Sequence, residues 1–175
     1  MAILVFVPSD SPRPTVRRAR IADVRKIKAL VDADAGRVLL EKELVTLYEA
    51  VQEFWVAEAN GEVLGAAALH VLWEDIAELR TVVVDKAARG QGVGGVLVGR
   101  LIDEARELGL KRLFVLTFET SFFTGQGFVE IEGTPVTQEV YEEMRRSVDT
   151  GVAEFLDLPY AKPNTLGNSR MLMQL

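Results

Sequence analysis

Two spacings of apolar residues predict the helices and strands of this chain. In the N-terminal part the apolar positions recur every three or four residues, as in Val24, Ile27, Leu30 and Val31, which is typical of an amphipathic helix. Segments rich in β-branched and aromatic residues follow, and the Asn-Gly dipeptide at positions 60 and 61 predicts a tight hairpin between two of them. The pattern therefore indicates opening helices followed by an antiparallel meander.

The complete series of predicted elements is of the α/β class. The part before the glycine-rich loop comprises a strand (15–20), a helix opened by Asp23 and ended by Gly36, a helix (39–51) and three strands (54–59, 63–73 and 76–84). The glycine-rich loop (89–95) is followed by a helix ended by Gly109, a strand (111–117), a short helix (119–124) and a strand (128–132). A helix (137–146), a polar stretch around Pro159 and Pro163 and a last strand (169–175) complete the series. The residues expected to be buried by the helix after the loop are Leu97, Leu101, Ala105 and Leu108.

Composition narrows the class of protein. The 175 residues, 49% of them hydrophobic, suffice for one globular domain, expected over 15–175 after an N-terminal tail, 1–14. The net charge of −6 argues against nucleic acid and an anionic membrane surface as partners. The lack of cysteine and the single histidine argue against disulfides and a metal site.

An opening apolar run that is too short to span a bilayer, with no basic start, makes the cytoplasm the expected location. A homodimer is compatible with all of these features.

The segment Arg89-Gly90-Gln91-Gly92-Val93-Gly94-Gly95 stands between a predicted strand and a predicted helix. Glycines let backbone N–H groups approach a ligand closely, and a helix N-terminus favours an anion, so the segment suits phosphate binding. A tight turn that needs glycine only for its geometry is the alternative. A Walker loop is excluded because no Gly-Lys-Ser/Thr ending is present, and a dinucleotide fingerprint would need an earlier place in the chain.

The run Val82-Val83-Val84, followed by Arg89-x-x-Gly92-x-Gly94, resembles the cofactor motif of the GNAT superfamily of N-acetyltransferases. The resemblance extends over the order of elements from residue 15 onward. It implies a single domain whose mixed central sheet, flanked by helices, is splayed between the fourth and fifth strands, with acetyl-CoA in the split and no metal. It further implies that the backbone N–H groups from Arg89 to Gly95 hold the pyrophosphate. Val82 and Val84 would pair with the pantetheine arm, and the Val82 N–H would polarise the thioester carbonyl.

A narrower resemblance concerns the acceptor. The segments 112–117, Gly127-Phe128 and Asn168-Ser169-Arg170 are similar to the acetyltransferase domain of N-acetylglutamate synthases, and the whole chain resembles the short, stand-alone actinobacterial form. This resemblance implies transfer of an acetyl group to the α-amino group of L-glutamate, or of L-glutamine, as the first step of arginine biosynthesis. It also implies acceptor contacts from Asn168, Ser169 and Arg170, although Gly167 replaces an arginine that is common in the long form.

Strand alternation suggests two further site residues. If no bulge intervenes, Glu78, Arg80, Val82 and Val84 share one face of their strand, which places Arg80 beside the reacting thioester. Arg80 would bind a carboxylate of the acceptor, the alternative being a solvated strand arginine. Glu78 matches the strand glutamate that some members of the superfamily use as the general base, the alternative being an ordinary salt bridge to Arg80.

One position departs from the superfamily pattern. Many members carry a tyrosine as the acid on the short helix before the Gly-Phe pair, and Phe123 stands there instead. Two other hypotheses stay open. The first is an acetyltransferase for another small amine or for a protein N-terminus, and the net charge of −6 would favour a cationic acceptor. The second, which the missing tyrosine supports, is a non-catalytic acetyl-CoA-binding module.

Overall fold

The computed structural model describes residues 13–34, 42–161 and 167–175. The strands are β1 (Thr15–Arg18), β2 (Phe54–Ala59), β3 (Glu62–Trp73), β4 (Ile76–Val84), β5 (Arg112–Thr117), β6 (Val129–Glu130) and β7 (Ser169–Gln174). The helices are α1 (Val24–Asp34), α2 (Leu44–Glu49), α3 (Val93–Glu107), α4 (Thr120–Gly125), α5 (Gln138–Met144) and α6 (Thr150–Phe155). Most of the predicted tail and the predicted helix end at Gly36 lie outside the described residues.

The strands form one seven-stranded sheet in the order β1-β2-β3-β4-β5-β7-β6. All neighbouring pairs are antiparallel except β4 and β5, which run parallel. The hairpin between β2 and β3 turns at Asn60 and Gly61, whose φ angles of 53° and 77° are both in the left-handed region. Such a turn needs two residues with positive φ, so the hairpin predicted from this dipeptide is confirmed.

The two parallel strands separate part of the way along the sheet. Their pairing ends at Glu78 and Phe114, while β4 continues to Val84 and β5 continues to Thr117 alongside β7. The sheet is therefore split on the side of Val84 and Thr117, between the fourth and fifth strands, as predicted.

Helices cover both faces of the sheet and give the core three apolar clusters. On one face α3 packs over β2, β3 and β4, and α4 lies beside β6 and β7, with Leu97, Leu101 and Phe123 among the buried side chains. On the other face α1 and α2 cover the first half of the sheet, and α5 and α6 cover the second half. No helix within the described residues combines the length and the apolar character needed to cross a membrane.

Two details of the predicted core are wrong. Leu108 is 57% exposed, because α3 ends at Glu107 and the chain reverses at Gly109 (φ 83°). In the resulting Schellman motif Leu110 donates its N–H to the Ala105 carbonyl and is buried in place of Leu108. The stretch predicted to be polar contains α6, whose apolar residues Val152, Ala153 and Phe155 are buried.

Candidate active site

A β-bulge in β4 changes the face on which the predicted site residues lie. Ala68 pairs with Arg80 and Ala66 pairs with Val83, so two residues of β4 stand opposite Ala67 alone. One of them, Thr81, has a φ of 54°, which is costly for a β-branched residue and fixes the bulge here.

The expectation that Glu78, Arg80, Val82 and Val84 share one face is therefore wrong. Beyond the bulge the side chains of Val82 and Val84 pack against the α3 cluster, as Leu79 does before it. Glu78 and Arg80 point to the opposite face, between the helices α1 and α2 and the helices α5 and α6. The acid–arginine pair and the two valines thus reach the split from opposite sides of the sheet.

Glu78 and Arg80 form a buried ion pair with a third residue, Asp149, which precedes α6. The Arg80 Nε donates to Glu78 Oε2 at 2.6 Å, and its outer nitrogens donate to the two oxygens of Asp149 at 2.8 and 3.2 Å. Sequence reasoning missed Asp149. The available signal was an N-cap acid three residues before the apolar Val152.

The environment of Glu78 makes its carboxylate more basic than that of an exposed glutamate. Burial raises the pKa of the Glu78 carboxyl, and the attraction of Arg80 offsets this effect only in part. Burial also acts against the charged form of Asp149, but the bonds from Arg80 outweigh it and lower the Asp149 pKa. The pKa of Glu154 on α6 is raised by burial and by the charge of Glu78. His70 stands opposite Glu78 on β3, where its Nδ1 lies 2.9 Å from an oxygen of Glu53.

The glycine-rich loop ends in a helix whose first N–H groups are left open. α3 begins at Val93 after Gly92, which has a φ of 81°, and none of the described side chains caps it. The first-turn N–H groups of a helix have no intrahelical partner, so they are free to bind an anion. A Cβ on Gly94 would lie 3.4 Å from the ring of Phe122, so the helix is closely covered at this point.

Arg89 folds back onto the body of the protein. Its Nε donates to the Val84 carbonyl at 3.2 Å, and an outer nitrogen donates to the buried Asp34 at the end of α1. The guanidinium therefore ties the loop to both β4 and α1. A cavity of about 150 Å³ adjoins this contact and is lined by Lys26, Ala29, Leu30, Ala33, Asp34, Val84, Asp85, Lys86 and Arg89.

The predicted acceptor residues near the C-terminus lie on β7 or directly before it. Ser169 pairs with Thr117 at the open end of β5, and its Oγ donates to Glu130 at 2.6 Å. Arg170 donates to the backbone carbonyls of Gly133, Glu154 and Phe155. Arg170 thus holds the C-terminal end of α6, and its predicted contact with an acceptor stays a prediction, as does that of Asn168.

Phe123 belongs to the core. Its ring makes edge-to-face contacts with Phe122 and Phe128, with centroid distances of 5.0 and 5.4 Å. The position that carries a phenol in many members of the superfamily is thus filled by an apolar stack. Within the described residues there is no cluster of three or more His, Cys, Asp or Glu side chains suited to a metal ion.

The sheet is thus split between its two parallel strands, with a glycine-rich loop and an uncapped helix start beside the split. Residues 25–128 match the acetyltransferase (GNAT) family, and the chain belongs to this family. A protein from Mycobacterium tuberculosis named amino-acid acetyltransferase is 66% identical over 166 residues, which cover 93% of this chain and 95% of that protein.

Solved structures agree with this assignment. The crystal structure of Rv2747 from Mycobacterium tuberculosis, in complex with CoA and a second ligand, has a TM-score of 0.90 at 65% identity and covers 93% of this chain and 99% of that one. The N-acetylglutamate synthase of Neisseria gonorrhoeae, with coenzyme A and N-acetyl-glutamate, has a TM-score of 0.73 at 24% identity. That match covers 93% of this chain and 35% of that chain, and it supports the fold alone.

Proposed function

We propose that this protein is an acetyl-CoA-dependent amino-acid N-acetyltransferase whose acceptor is L-glutamate, with L-glutamine as the alternative, and which acts at the first step of arginine biosynthesis. The 66% identity with a protein named amino-acid acetyltransferase, over nearly the full length of both chains, supports the general activity. The observation that carries the proposal is the buried Glu78–Arg80 pair at the point where β4 and β5 separate. A base and a carboxylate-binding cation stand together there.

The split and the glycine-rich loop suit the two ends of acetyl-CoA. Beyond Glu78 the β4 backbone is not paired with β5, so Val82 and Val84 can bond to the amide groups of a pantetheine arm. The open N–H groups at the start of α3 suit the pyrophosphate, with the loop from Arg89 to Gly95 around it. The bulge at Thr81 sets the direction of the Val82 N–H, which we assign to the thioester carbonyl oxygen.

Glu78 has the properties of a general base for this reaction. The neutral amine attacks the thioester carbon, the C–S bond breaks, and the proton of the amine passes to Glu78 directly or through water. Because burial raises the Glu78 pKa, its basicity is closer to that needed near neutral pH than that of an exposed glutamate. The Val82 N–H stabilises the oxyanion, and Phe123 provides no proton for the departing thiolate.

Arg80 has donors left for an acceptor carboxylate. A guanidinium carries five N–H groups, and the bonds to Glu78 and Asp149 use three of them. One N–H remains on each outer nitrogen, and because these two point to opposite edges of the guanidinium, one of them can bind one oxygen of an acceptor carboxylate. Asn168, Ser169 and Arg170, near the open end of β5, are the proposed contacts for the rest of the acceptor.

The substitution Arg80→Lys tests the acceptor site. It keeps the positive charge but removes the planar set of donors, so we expect the KM for L-glutamate to rise about ten-fold or more, with the KM for acetyl-CoA nearly unchanged. Arg112→Lys is a matched control, because Arg112 also makes a two-point contact with an aspartate, binding Asp75 through Nε and one outer nitrogen at the opposite end of β5 from the split. If Arg80→Lys raises the KM for L-glutamate and the KM for acetyl-CoA equally, Arg80 does not bind the acceptor.

A further inference from the structure

Asp149 uses one carboxylate for two tasks. Its Oδ1 accepts the N–H of Val152 at 2.9 Å and so caps α6, and it also accepts an outer N–H of Arg80 at 2.8 Å. Its Oδ2 accepts the other outer nitrogen of Arg80 at 3.2 Å. The start of α6 is therefore fixed to the side chain that also holds Glu78.

Gly151 provides the space for this arrangement. A Cβ at this position would lie 2.4 Å from an outer nitrogen of Arg80 and 2.6 Å from Cζ. The guanidinium thus packs directly against the first turn of α6, where it reaches Asp149 with both outer nitrogens. In this orientation only Nε points back to Glu78.

The consequence for Glu78 concerns its second oxygen. Oε2 accepts the bond from Arg80, and no hydrogen bond to Oε1 occurs within the described part of the chain. An arginine that is free to turn would take both oxygens of a carboxylate in a two-point contact. With Glu78 this contact would use Nε and the second N–H of one outer nitrogen. The bonds to Asp149 fix the guanidinium in an orientation in which Nε alone bonds to Glu78, and so they leave Oε1 open.

We propose that Asp149 is a positioning residue that acts through Arg80: by fixing the orientation of the guanidinium, it limits the contact of Arg80 with Glu78 to the Nε bond and keeps one Glu78 oxygen available to the acceptor amine. This inference rests on the proposed function of Glu78 as the base. It assigns to α6 a part in catalysis, because the cap of this helix controls the orientation of a residue on β4.

Other charges also face Glu78 and enter the expected result. These charged or titratable groups are Arg80 on its own strand, His70 on β3, Asp149 at the cap of α6, Glu154 on α6, Arg170 on β7, and Lys42, whose charge also acts on Glu154. The substitution Asp149→Asn changes only one of them. Asparagine caps a helix about as well as aspartate, so α6 is kept while the charge that holds Arg80 is removed.

The decisive measurement is an NMR titration of the Glu78 side-chain carboxyl carbon, whose signal is identified by its loss in Glu78→Gln. In Asp149→Asn we expect Arg80 to turn toward Glu78 and the midpoint to fall by about one pH unit. Asp103→Asn, which removes an exposed charge on α3, is the control and should leave the midpoint unchanged. Loss of the Asp149 charge lowers the midpoint by itself, so the result is compared with Glu154→Gln, which removes a neighbouring negative charge that makes no hydrogen bond to Arg80. A fall in Asp149→Asn no larger than that in Glu154→Gln would overturn the proposal.

Kinetics then separate this proposal from the proposed function. For Asp149→Asn we expect the acid limb of kcat/KM to move to lower pH, with a loss in kcat of about ten-fold and little change in the KM for acetyl-CoA. A wild-type protein that acetylates no amino acid would refute the proposed function, while the titration would still decide whether Asp149 controls Glu78. If kcat falls but the acid limb of the kcat/KM profile stays at the same pH, Asp149 only caps α6 and does not control Glu78.

Discussion

Glu78 of β4 and Phe114 of β5 form the last residue pair joined across the two parallel strands. Phe114 packs beneath α6, with its ring 4.8 Å from that of Phe155, and the guanidinium of Arg170 lies over it at 4.9 Å. The end of the paired region is thus fixed from the α6 side. Since the split begins beside Glu78, a buried acid and an open backbone edge are placed next to each other.

The pH profile of Glu78→Gln should reveal a lost base. In the wild type, kcat/KM falls at low pH as Glu78 takes up a proton, and its raised pKa brings this limb toward neutrality. In the variant we expect kcat to drop by about a hundred-fold, and the remaining rate to rise steadily with pH as the free amine becomes more abundant. A uniform loss that leaves the acid limb in place would indicate a structural role.

The same substitution should change how stability depends on pH. The pKa of Glu78 is higher in the folded protein than in the unfolded chain. Between these two pKa values the folded protein keeps a proton that the unfolded chain has lost. The contribution of Glu78 to the free energy of unfolding therefore falls as the pH rises through this range. Glutamine does not titrate. The free energy of unfolding of Glu78→Gln, relative to wild type, should therefore increase from acid to neutral pH in denaturant titrations. A constant difference would contradict a raised pKa.

Two glycines of α3 form a matched pair for the cofactor site. At Gly99, in the middle of the helix, a Cβ would meet nothing within 4 Å, so Gly99→Ala should stabilise the fold by about 1 kcal/mol and leave the kinetics unchanged. At Gly94 the same methyl group would contact Phe122 at 3.4 Å, in the first turn whose N–H groups we assign to the pyrophosphate. Gly94→Ala should raise the KM for acetyl-CoA about ten-fold or more, measured at saturating acceptor. The same KM for acetyl-CoA in both variants would show that the start of α3 does not bind the pyrophosphate.

The bond between Asp34 and Arg89 should matter for the cofactor rather than for the acceptor. Asp34→Asn weakens a charge-assisted contact that ties the loop to α1, so we expect the dissociation constant of acetyl-CoA to rise about ten-fold, as measured by calorimetry. Lys28→Gln on the same helix is the control, since Lys28 pairs with Asp32 on an exposed part of α1. An unchanged affinity in Asp34→Asn would show that the loop keeps its shape without this bond.

Much of the fold could be predicted because local signals agree with the final structure. The dipeptide Asn60-Gly61 adopts the positive φ angles that its hairpin needs, and the helix that follows Gly92 buries Leu97 and Leu101 as its spacing predicts. The split in the sheet was predicted from a resemblance rather than from periodicity. Spacing along one strand carries no information about where its pairing with another strand ends.

The candidate site was harder to predict, for two physical reasons. Period-two alternation fails at a bulge, and nothing in the residues around Thr81 marks it as the one with a positive φ, since glycine rather than threonine is the usual signal. Asp149 was missed because α6 is short and stands next to Pro159, so its apolar residues did not outweigh the surrounding polar ones. Its partnership with Arg80 depends on tertiary packing between residues 69 positions apart.

The most direct test is a thiol-release assay with acetyl-CoA and three acceptors: L-glutamate, L-glutamine and spermidine. The account predicts release of CoA with one or both amino acids, an N-acetyl product with its acetyl group on the α-nitrogen by mass spectrometry, and no reaction with spermidine. Turnover of spermidine alone would contradict the proposed acceptor. Tight binding of acetyl-CoA without turnover of any amine would contradict the proposed enzyme and favour a binding module, in agreement with the missing phenol at Phe123.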